Sequence, residues 1–476
     1  MGTTGSGGEL LLELDRRPAA RTLRAQLEDG LREAVRSGRL AAASRLPPTR
    51  ALAADLGVSR RLVVDAYAQL LAEGYLRARP GAGTFVAGAA ATSERPVAEQ
   101  PTPQLRFDFF PGYPDLAGFP RRAWLRALRD TLREAPDRAL GYPDPRGAPA
   151  LRSALAEHLR RVRGVVADPE SIVICSGAAQ AFGLLAATLG GSMAVEDPGL
   201  PVHRAMLAAQ GVRLAAMPVD AEGARTQELA TLAAEATVTA PLRSALVTPA
   251  HQSPTGVAMS AGRRAELLDW AAAAGAVVIE DDYDAEFRYD RAPLGAMQGL
   301  APDRVIYTGT VSKTLAPALR LGWMVVPSRL LDAVAQRKLT ADHGSPTIDQ
   351  LALARMLESG VYDRHLRAAR RRYRQRRDAL VEAVERHLPG ARVTGLAAGL
   401  HATVRLAEPV EGRALMAAAA RESVGVYPLG YGYMEPRPLD DGLVLGYANL
   451  AEPAIEEGIR RLARALAELP PGPAPT

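Results

Sequence analysis

Cysteine, lysine and long apolar runs are all scarce in this chain of 476 residues. Its single cysteine, Cys175, excludes an intramolecular disulfide bond and a cysteine-based metal cluster, and it is typical of a reducing compartment. No apolar run approaches the roughly 20 residues that a membrane-spanning helix needs, and the first residues do not have the pattern of a signal peptide. We therefore expect a cytoplasmic protein that has no membrane partner.

Lysine occurs only at Lys313 and Lys338, although lysine and arginine together number 58. Chemistry that needs a primary amine is thus restricted to two positions. Lys313 follows an apolar strand and a hydroxyl-rich turn with Thr310 and Ser312, and Arg320 comes seven residues later. This layout suits a lysine that forms a Schiff base with a phosphorylated aldehyde, because the hydroxyls and the guanidinium can hold the phosphate. A lysine left here by chance in an arginine-preferring genome is the alternative.

The net charge of +5 is concentrated near the N-terminus. Residues 1–87 contain 13 arginines and 9 acidic residues, an excess of four positive charges. Such a segment favours an anionic partner, and double-stranded DNA is the first expectation. A solvated basic face without a partner is the alternative.

The N-terminal segment has the pattern of a helix-turn-helix followed by a hairpin. Apolar residues at four-residue spacing predict a helix from Leu23 to Gly38, and Thr49 is a suitable N-cap for a short helix over 50–56. Ser59 then caps a third helix that runs from Arg60 to about residue 73, and basic side chains lie in its first turn, as in a recognition helix. Two short strands around the turn at 80–83 form a basic wing.

Three phrases of this segment resemble the winged helix-turn-helix domain of GntR-type transcription regulators: Leu46-Pro-Pro-Thr-Arg-Ala-Leu-Ala, Leu56-Gly-Val-Ser-Arg60 and Pro80-Gly-Ala-Gly-Thr-Phe-Val86. The family usually has a small polar pair after the first arginine of the recognition helix, whereas Arg61 and Leu62 stand here. A different base preference is therefore expected. The pattern and the resemblance together give these DNA contacts: Arg50, Ser59, Arg60, Arg61, Arg77, Arg79, Gly81, Gly83 and Thr84.

The length predicts about three domains, and we expect a DNA-binding domain over 1–87 and a linker over 88–106. The linker holds three prolines and few large apolar side chains, which predicts a semi-stiff segment. Beyond it, helical runs alternate with strand-like runs, which predicts an α/β region with a mainly parallel sheet covered by helices. The predicted strands are Ile172 to Cys175, Met193 to Glu196, Arg213 to Val219, Ala245 to Thr248, Ala276 to Asp281, Val305 to Thr308 and Trp323 to Val326.

Polar residues follow several of these strands, at the sheet edge where ligands bind in open α/β folds. Ser176, Gly177 and Ala178 open a helix directly after a strand, an arrangement that binds phosphate. The cluster 280–284 is acidic, but it contains no histidine, and we expect no metal. Asp281 and Tyr283 can instead face one ligand, a protonated pyridine ring with a phenolic oxygen. The turn 248–256 supplies further hydrogen bonds to the ring oxygen from Gln252 and Ser253.

Residues 107–470 resemble the fold-type I aminotransferases. The full chain resembles the MocR-type regulators, in which a GntR-type domain is fused to an aminotransferase-like domain. The motifs that carry the resemblance are Phe110-Pro-Gly, Gly141-Tyr-Pro-Asp-Pro-Arg-Gly147, His251-Gln-Ser-Pro-Thr-Gly256, Glu280-Asp-Asp-Tyr-Asp284, Ser312-Lys-Thr-Leu-Ala-Pro317 and Leu445-Gly-Tyr-Ala-Asn449.

The resemblance implies a mainly parallel sheet and a small α+β domain, formed mainly by residues 345–470. It implies pyridoxal 5'-phosphate as the cofactor, held covalently by Lys313, with Asp281 at the pyridinium and Tyr283 at the ring oxygen. Tyr142 is expected to reach the phosphate from the other subunit of a head-to-tail homodimer. The phosphate contacts within the subunit are Ser176, Gly177, Ala178, Thr310, Ser312 and Arg320.

Some positions depart from the aminotransferase pattern. Leu200 stands where the family has an aromatic ring stacked on the cofactor, and Val444 stands where many aminotransferases have an arginine for the substrate carboxylate. Arg204 is a possible substitute for that arginine. The run 364–377 contains eight arginines, which suits a solvated or intersubunit face, with an auxiliary DNA-contacting surface as the alternative.

We therefore predict a dimeric transcription regulator whose C-terminal domain senses pyridoxal phosphate or an amino compound that reacts with it. An aminotransferase with sustained turnover that controls its own gene is the first alternative, and a cofactor-free repressor is the second. The departures at Leu200 and Val444 favour the sensor, because poor anchoring of a substrate carboxylate slows transamination.

Overall fold

The computed structural model describes residues 14–17, 21–87, 105–290 and 294–469. Contacts divide the chain into two compact units, Met1–Thr102 and Pro103–Thr476. The predicted linker, 88–106, lies outside the described residues except for its last two positions.

The first unit is a three-helix bundle with a two-stranded wing. Leu27 and Leu31 from the first helix pack against Val63, Tyr67 and Leu70 from the third, and all five side chains are buried. The elements are α1 (Leu23–Arg36), α2 (Thr49–Asp55), α3 (Arg60–Ala72), β1 (Leu76–Arg79) and β2 (Gly83–Val86). The predicted winged helix-turn-helix is confirmed.

The ends of these helices follow from their caps. Ser59 is the N-cap of α3, and its hydroxyl accepts from the amide of Leu62 at 3.3 Å. Thr49, predicted as a cap, is instead the first residue of α2, because Pro48 holds the extended conformation before it. α1 ends at Arg36, and Gly38 follows with a φ of +76°, a conformation that favours glycine.

The second unit is built on an eight-stranded sheet in the order β4-β11-β10-β9-β8-β5-β6-β7. The five strands from β10 to β6 in this order are parallel, while β11 and β7 run antiparallel to their neighbours. The predicted α/β fold with a mainly parallel sheet is therefore confirmed. The strands are β4 (Ile172–Cys175), β5 (Ser192–Asp197), β6 (Arg213–Asp220), β7 (Gly223–Ala224), β8 (Leu242–Val247), β9 (Val277–Asp281), β10 (Val305–Thr310) and β11 (Gly322–Val325).

The remaining strands belong to the smaller part of this unit, an antiparallel sheet in the order β12-β13-β16-β15. A separate parallel pair joins the start of the unit to its last third, because Phe107 pairs with Val424. The strands are β3 (Phe107–Asp108), β12 (Arg392–Thr394), β13 (His401–Glu411), β14 (Val424–Gly425), β15 (Tyr427–Pro428) and β16 (Leu439–Gly446).

Helices cover both sheets, and a large apolar core that includes Phe109, Tyr307 and Tyr373 joins the two parts of the unit. Within the described ranges, no helix combines the length and the apolarity needed to cross a bilayer. The helices are α4 (Arg121–Glu134), α5 (Pro149–Arg163), α6 (Ala178–Leu189), α7 (Pro201–Ala209), α8 (Leu229–Glu235), α9 (Ala261–Ala274), α10 (Ser328–Asp342), α11 (Thr347–Glu358), α12 (Val361–His387), α13 (Gly412–Arg421) and α14 (Glu452–Ala467).

Candidate functional site

The polar residues predicted from the strand ends meet at one edge of the large sheet. Thr308 of β10 lies opposite Asp281 of β9, and Gly322 of β11 lies opposite Cys175, the last residue of β4. A Cβ at Gly322 would lie 2.8 Å from the Cα of Gly177, so only glycine permits this close approach. The two segments that were predicted to hold a phosphate are therefore neighbours.

The N-terminus of α6 and the turn before β11 form an anion-binding cradle. Gly177 caps α6 with a φ of +85°, and Arg320 has a left-handed φ of +49°. The Arg320 guanidinium donates to the carbonyl oxygen of Ser176 at 2.5 Å, and the hydroxyls of Thr310 and Ser312 lie 2.9 Å apart. A helix N-terminus, two hydroxyls and a guanidinium together suit a phosphate. The amide of Ser176 already donates to the side chain of Gln180 at 2.8 Å.

Lys313 follows β10 and points its amine at the segment that opens the unit. Its Nζ donates to the carbonyl oxygen of Gly112 at 2.8 Å, and a Cβ at Gly112 would lie 3.0 Å from that nitrogen. Burial lowers the pKa of Lys313 from its ordinary value, although Asp284 and Asp281 oppose the shift. A lower pKa raises the fraction of neutral amine, which is the nucleophilic form.

Asp281 carries an unsatisfied carboxylate oxygen. In the part of the chain that is described, its Oδ1 is buried and has no hydrogen-bond partner. Burial, together with the charge of Asp282, raises the pKa of Asp281 to about 7. A buried acceptor without a partner is costly, and a protonated ring nitrogen from a ligand would satisfy it. Asp281 therefore fits the role that the sequence predicts for it.

Tyr283 and the turn after β8 lie beside this carboxylate. The Tyr283 hydroxyl lies 3.2 Å from Nδ1 of His251, and burial raises its pKa well above the ordinary value. Ser253 lines the pocket that also contains Asp281. The amide of Gln252, by contrast, bonds to the carbonyl oxygens of Pro198 and Ser253 and to other groups of its own loop. Gln252 thus stabilises the loop, and its side chain is not free to bond a ring oxygen.

A pocket that opens to solvent lies beside Asp281, and the space between its lining atoms and at its mouth amounts to about 400 Å³. Three polar residues that line it were not among the predicted site residues: Glu196, His203 and Thr248. Thr248 donates to a carboxylate oxygen of Glu196 at 2.5 Å, and burial raises the pKa of Glu196 to about 7. His203 lies in the first turn of α7, three residues after its N-cap Leu200, and burial lowers the pKa of His203 to about 4. The sequence signal that could have indicated His203 is its place in the first helical turn after Leu200, since Pro201 is typical of a helix start.

The remaining predicted residues of this unit lie in other environments. Arg204 lines the pocket, but its guanidinium donates to the carbonyl oxygens of Gly432 and Tyr433 at 2.7 and 2.9 Å. Val444 is buried on β16. Tyr142 does not join the cluster: its side chain is 94% exposed, and its ring lies 6.2 Å from that of His343.

In the first unit, the predicted DNA contacts are all at the surface or partly exposed. The arginines of α2, of the first turn of α3 and of the wing are exposed: Arg50, Arg60, Arg61, Arg77 and Arg79. Arg79 lies over the ring of Phe85, 5.1 Å from its centroid. Gly81 and Gly83 have φ values of +72° and +111°, which the tight turn of the wing requires, and Thr84 follows in β2. Arg45, which was not predicted, packs against Gly83.

The two units define a class of protein in which a winged helix-turn-helix precedes an aminotransferase-like domain. Residues 23–86 match the family model for bacterial regulatory proteins of the gntR family. Residues 112–461 match the family model for aminotransferase class I and II.

Similar proteins specify the family further. The "Probable rhizopine catabolism regulatory protein MocR" of Rhizobium meliloti is 36% identical over 485 residues, and the match covers 96% of each chain. The HTH-type pyridoxine biosynthesis transcriptional regulator PdxR of Corynebacterium glutamicum is 32% identical, over 89% of this chain and 91% of the relative. The chain therefore belongs to the MocR-type regulators, as the sequence predicted.

The solved structure of LysN, the α-aminoadipate aminotransferase of Thermus thermophilus, is similar to the second unit. It was determined as a complex with N-(5'-phosphopyridoxyl)-L-leucine. It is 30% identical with a TM-score of 0.69, and the match covers 76% of this chain and 92% of that chain. The predicted fold-type I architecture is confirmed by this match.

Proposed function

We propose that this protein is a cytoplasmic, homodimeric transcription regulator that binds operator DNA and holds pyridoxal 5'-phosphate on Lys313. It senses the cofactor itself or an amino compound that reacts with it. The observation that carries the proposal is the unpartnered Oδ1 of Asp281, buried in a chain that also has an exposed basic winged helix. The MocR and PdxR relatives and the phosphopyridoxyl ligand of LysN support the same conclusion. In this proposal, residues 1–87 form the DNA-binding domain and residues 107–470 form the domain that holds the cofactor. Residues 88–106 are the linker between these two domains.

The cradle and the residues beside it have distinct parts in holding the cofactor. Asp281 keeps the ring nitrogen protonated, and Tyr283 donates to the phenolic oxygen. The α6 N-terminus binds the phosphate together with Thr310, Ser312 and Arg320. When bound, pyridoxal phosphate supplies an electrophilic carbon at which one amine can replace another.

Lys313 is suited to report which amine is bound. When its Nζ is free, it donates to the carbonyl oxygen of Gly112. Gly112 lies six residues beyond the proposed linker, so the state of the lysine acts on the segment that leads to the DNA-binding domain. A ligand that favours one of two such states shifts the equilibrium between them, and DNA affinity changes with it.

Exposed apolar side chains support a second subunit. Leu125 and Leu132 lie seven residues apart on α4, on one face, and are 68% and 62% exposed. Leu140 and Tyr142 are also highly exposed. Apolar surface of this kind is typical of an interface, and a head-to-tail dimer would bring Tyr142 to the partner's phosphate.

The test is operator binding by the full-length protein with and without pyridoxal phosphate. The wild-type protein should change its affinity for promoter DNA when the cofactor is added, whereas Lys313→Ala should not respond. Lys313→Arg is the matched control, because it keeps a positive charge but forms no Schiff base. Equal responses of the wild type and Lys313→Ala would remove the sensing role. Affinity no higher than for random duplex at matched salt would remove specific DNA binding.

Two side chains support sensing rather than sustained transamination. Val444 offers no charge to a substrate carboxylate, and both terminal nitrogens of Arg204 are already bonded to backbone carbonyls. We expect a single spectral change per subunit when an amino acid is added. Keto acid that accumulates beyond one equivalent per subunit would establish an active aminotransferase instead.

A further inference from the structure

Behind Tyr283 lies a buried pair of residues that has no part in the proposed function. His251, in the turn after β8, and Asp284, in the turn after β9, are both almost completely buried. Asp284 Oδ2 lies 3.0 Å from Nδ1 of His251, and the Tyr283 hydroxyl lies 3.2 Å from the same nitrogen. One ring nitrogen is therefore shared by two oxygens.

The surrounding backbone holds this pair tightly. Gly399 has a φ of +71°, and a Cβ built on it would overlap both the His251 ring and the Asp284 carboxylate. A Cβ at Gly256 would lie 3.3 Å from Nε2 of the same ring. Two glycines thus allow the backbone to close on the imidazole, and the ring has little room to turn away from Tyr283.

The chemistry of the two oxygens determines where the hydrogen lies. An ionised carboxylate accepts hydrogen bonds and donates none, so the contact with Asp284 requires a hydrogen on Nδ1. Nδ1 then cannot accept from Tyr283. Burial raises the pKa of the Tyr283 phenol well above its ordinary value, so the phenol keeps its own hydrogen. Ser253 also bonds the phenol, but its contact lowers the pKa of Tyr283, so Ser253 is the donor there and the phenol must donate its hydrogen elsewhere.

We propose that Asp284 and His251 are positioning residues: they fix the Nδ1–H tautomer and so direct the Tyr283 hydrogen to the phenolic oxygen of the cofactor ring. The inference rests on the proposed function, which puts that ring beside Asp281. A hydrogen bond stabilises the anionic form of the oxygen. The pair therefore lowers the pH midpoint at which the visible absorbance of the loaded protein changes.

Other titratable groups also surround the phenol and the imidazole. Asp281 and Glu196 act on Tyr283, and Lys313 lies close enough to act on His401 of β13. The His401 ring lies 5.2 Å from that of His251, and its Nε2 lies 3.2 Å from the carbonyl oxygen of Pro254. Burial lowers the pKa of His401 to about 4, so it is neutral near pH ~7. His401 therefore serves as the matched control, a buried histidine that takes no part in the proposed contacts among Asp284, His251 and Tyr283.

The test is a pH titration of the visible absorbance of full-length protein loaded with pyridoxal phosphate. Tyr283→Phe removes the donor and should raise the midpoint by about one pH unit. Asp284→Asn should cause a similar rise, because a neutral amide no longer requires a hydrogen on Nδ1, and the other tautomer leaves the Nδ1 lone pair free to accept the Tyr283 hydrogen. His251→Asn should keep a midpoint close to that of the wild type, because its amide can donate to Asp284 from nearly the same place. His401→Asn should leave the midpoint unchanged.

A wild-type midpoint in Asp284→Asn, alongside a shifted one in Tyr283→Phe, would overturn the positioning role. If circular dichroism shows that Asp284→Asn does not fold, ¹⁵N NMR of the histidine-labelled wild-type protein tests the tautomer of His251 directly. The His251 signal, identified by its loss in His251→Asn, must then show a protonated Nδ1, and an unprotonated Nδ1 refutes the inference. The proposed function fails differently, since the wild type would then have no visible band, or Lys313→Ala would retain it.

Discussion

At the scale of single residues, the pocket is organised around charges that burial has made unfavourable. Lys313 and Asp281 attract each other, yet the pKa of the lysine is lowered and that of the aspartate is raised, because burial outweighs the attraction in both. Both groups therefore tend toward their neutral forms without a ligand. A ligand that carries a protonated ring nitrogen and an aldehyde would relieve both costs at once.

Asp281→Asn tests this cost directly. The pKa of Asp281 is about 7 in the folded protein against an ordinary 3.8. The folded protein thus holds a proton that the unfolded chain has lost, and its stability falls as pH rises from ~4 to ~7. Because asparagine does not titrate, the free energy of unfolding of the cofactor-free variant should exceed that of the wild type by about 1–3 kcal/mol at pH ~8, and by much less at pH ~4. Urea denaturation at both pH values measures the difference.

The same variant should bind pyridoxal phosphate about 10–100-fold more weakly, because it loses a charge-assisted hydrogen bond. Asp282→Asn is the matched control. Asp282 is paired with the buried Arg163 at 2.7 Å, so its loss should destabilise the protein at both pH values. An Asp281→Asn variant that is less stable than the wild type at pH ~8 would show that Oδ1 has a partner.

At the scale of elements, the basic run of α12 divides into two sets. Arg372 and Arg376 both contact the buried carboxylate of Asp115, and Arg370 donates to the carbonyl oxygen of Glu286. The exposed set contains Arg364, Arg367, Arg371 and Arg374. Three of the eight arginines therefore join α12 to its own domain, and the solvated or intersubunit face that the sequence suggests stays a prediction for the exposed set.

The wing should contribute to DNA binding mainly through charge. Arg77 and Arg79 lie on β1 and are exposed. Replacing both by glutamine removes two phosphate contacts, so the slope of log affinity against log salt should become less steep by about two. Fluorescence anisotropy with labelled promoter DNA between ~50 and ~200 mM salt gives the slope.

Two control variants separate the wing from other basic surfaces. Arg24→Gln removes an arginine that is paired with Glu28 on α1 at 2.7 Å, and the slope should not change. The double variant Arg371→Gln, Arg374→Gln removes exposed charge from α12 and should also keep the wild-type slope. A smaller slope in that variant would establish α12 as a second DNA-contacting surface.

At the scale of the whole molecule, each unit has a core of its own. Leu27, Leu31 and Val63 belong to the core of the first unit, and the sheet strands of the second unit pack into three separate apolar clusters. Each unit therefore has its own source of stability, and a ligand of one unit need not stabilise the other.

Calorimetry with pyridoxal phosphate should show this independence. At a free cofactor concentration about 100 times the Kd, binding raises the free energy of unfolding of the unit that holds the cofactor by about 2.7 kcal/mol. The Tm of the larger transition should rise, while that of the smaller, winged-helix transition should not. Lys313→Arg should show a much smaller rise. Equal rises of both transitions would mean that the two units unfold together.

Much of the fold was predictable because its signals are local. The spacing of leucines in α1, the cap at Ser59 and the turn glycines of the wing depend on neighbours within a few residues of the chain. The strands were recognised as apolar runs, although β8 begins at Leu242, three residues before its predicted start, because Arg243 interrupts the run. The pairing of β3 with β14 joins residues more than 300 positions apart, and no local pattern indicates it.

By itself, the sequence determined the family and the two folds, and it predicted most of the groups that are proposed to hold the cofactor, because motifs and periodicity are written in consecutive residues. The tertiary structure decided what those groups can do. It left Oδ1 of Asp281 without a partner, bonded Arg204 to carbonyls and set His251 between Tyr283 and Asp284. These features depend on burial and on contacts between distant segments, which exist only once the chain has folded.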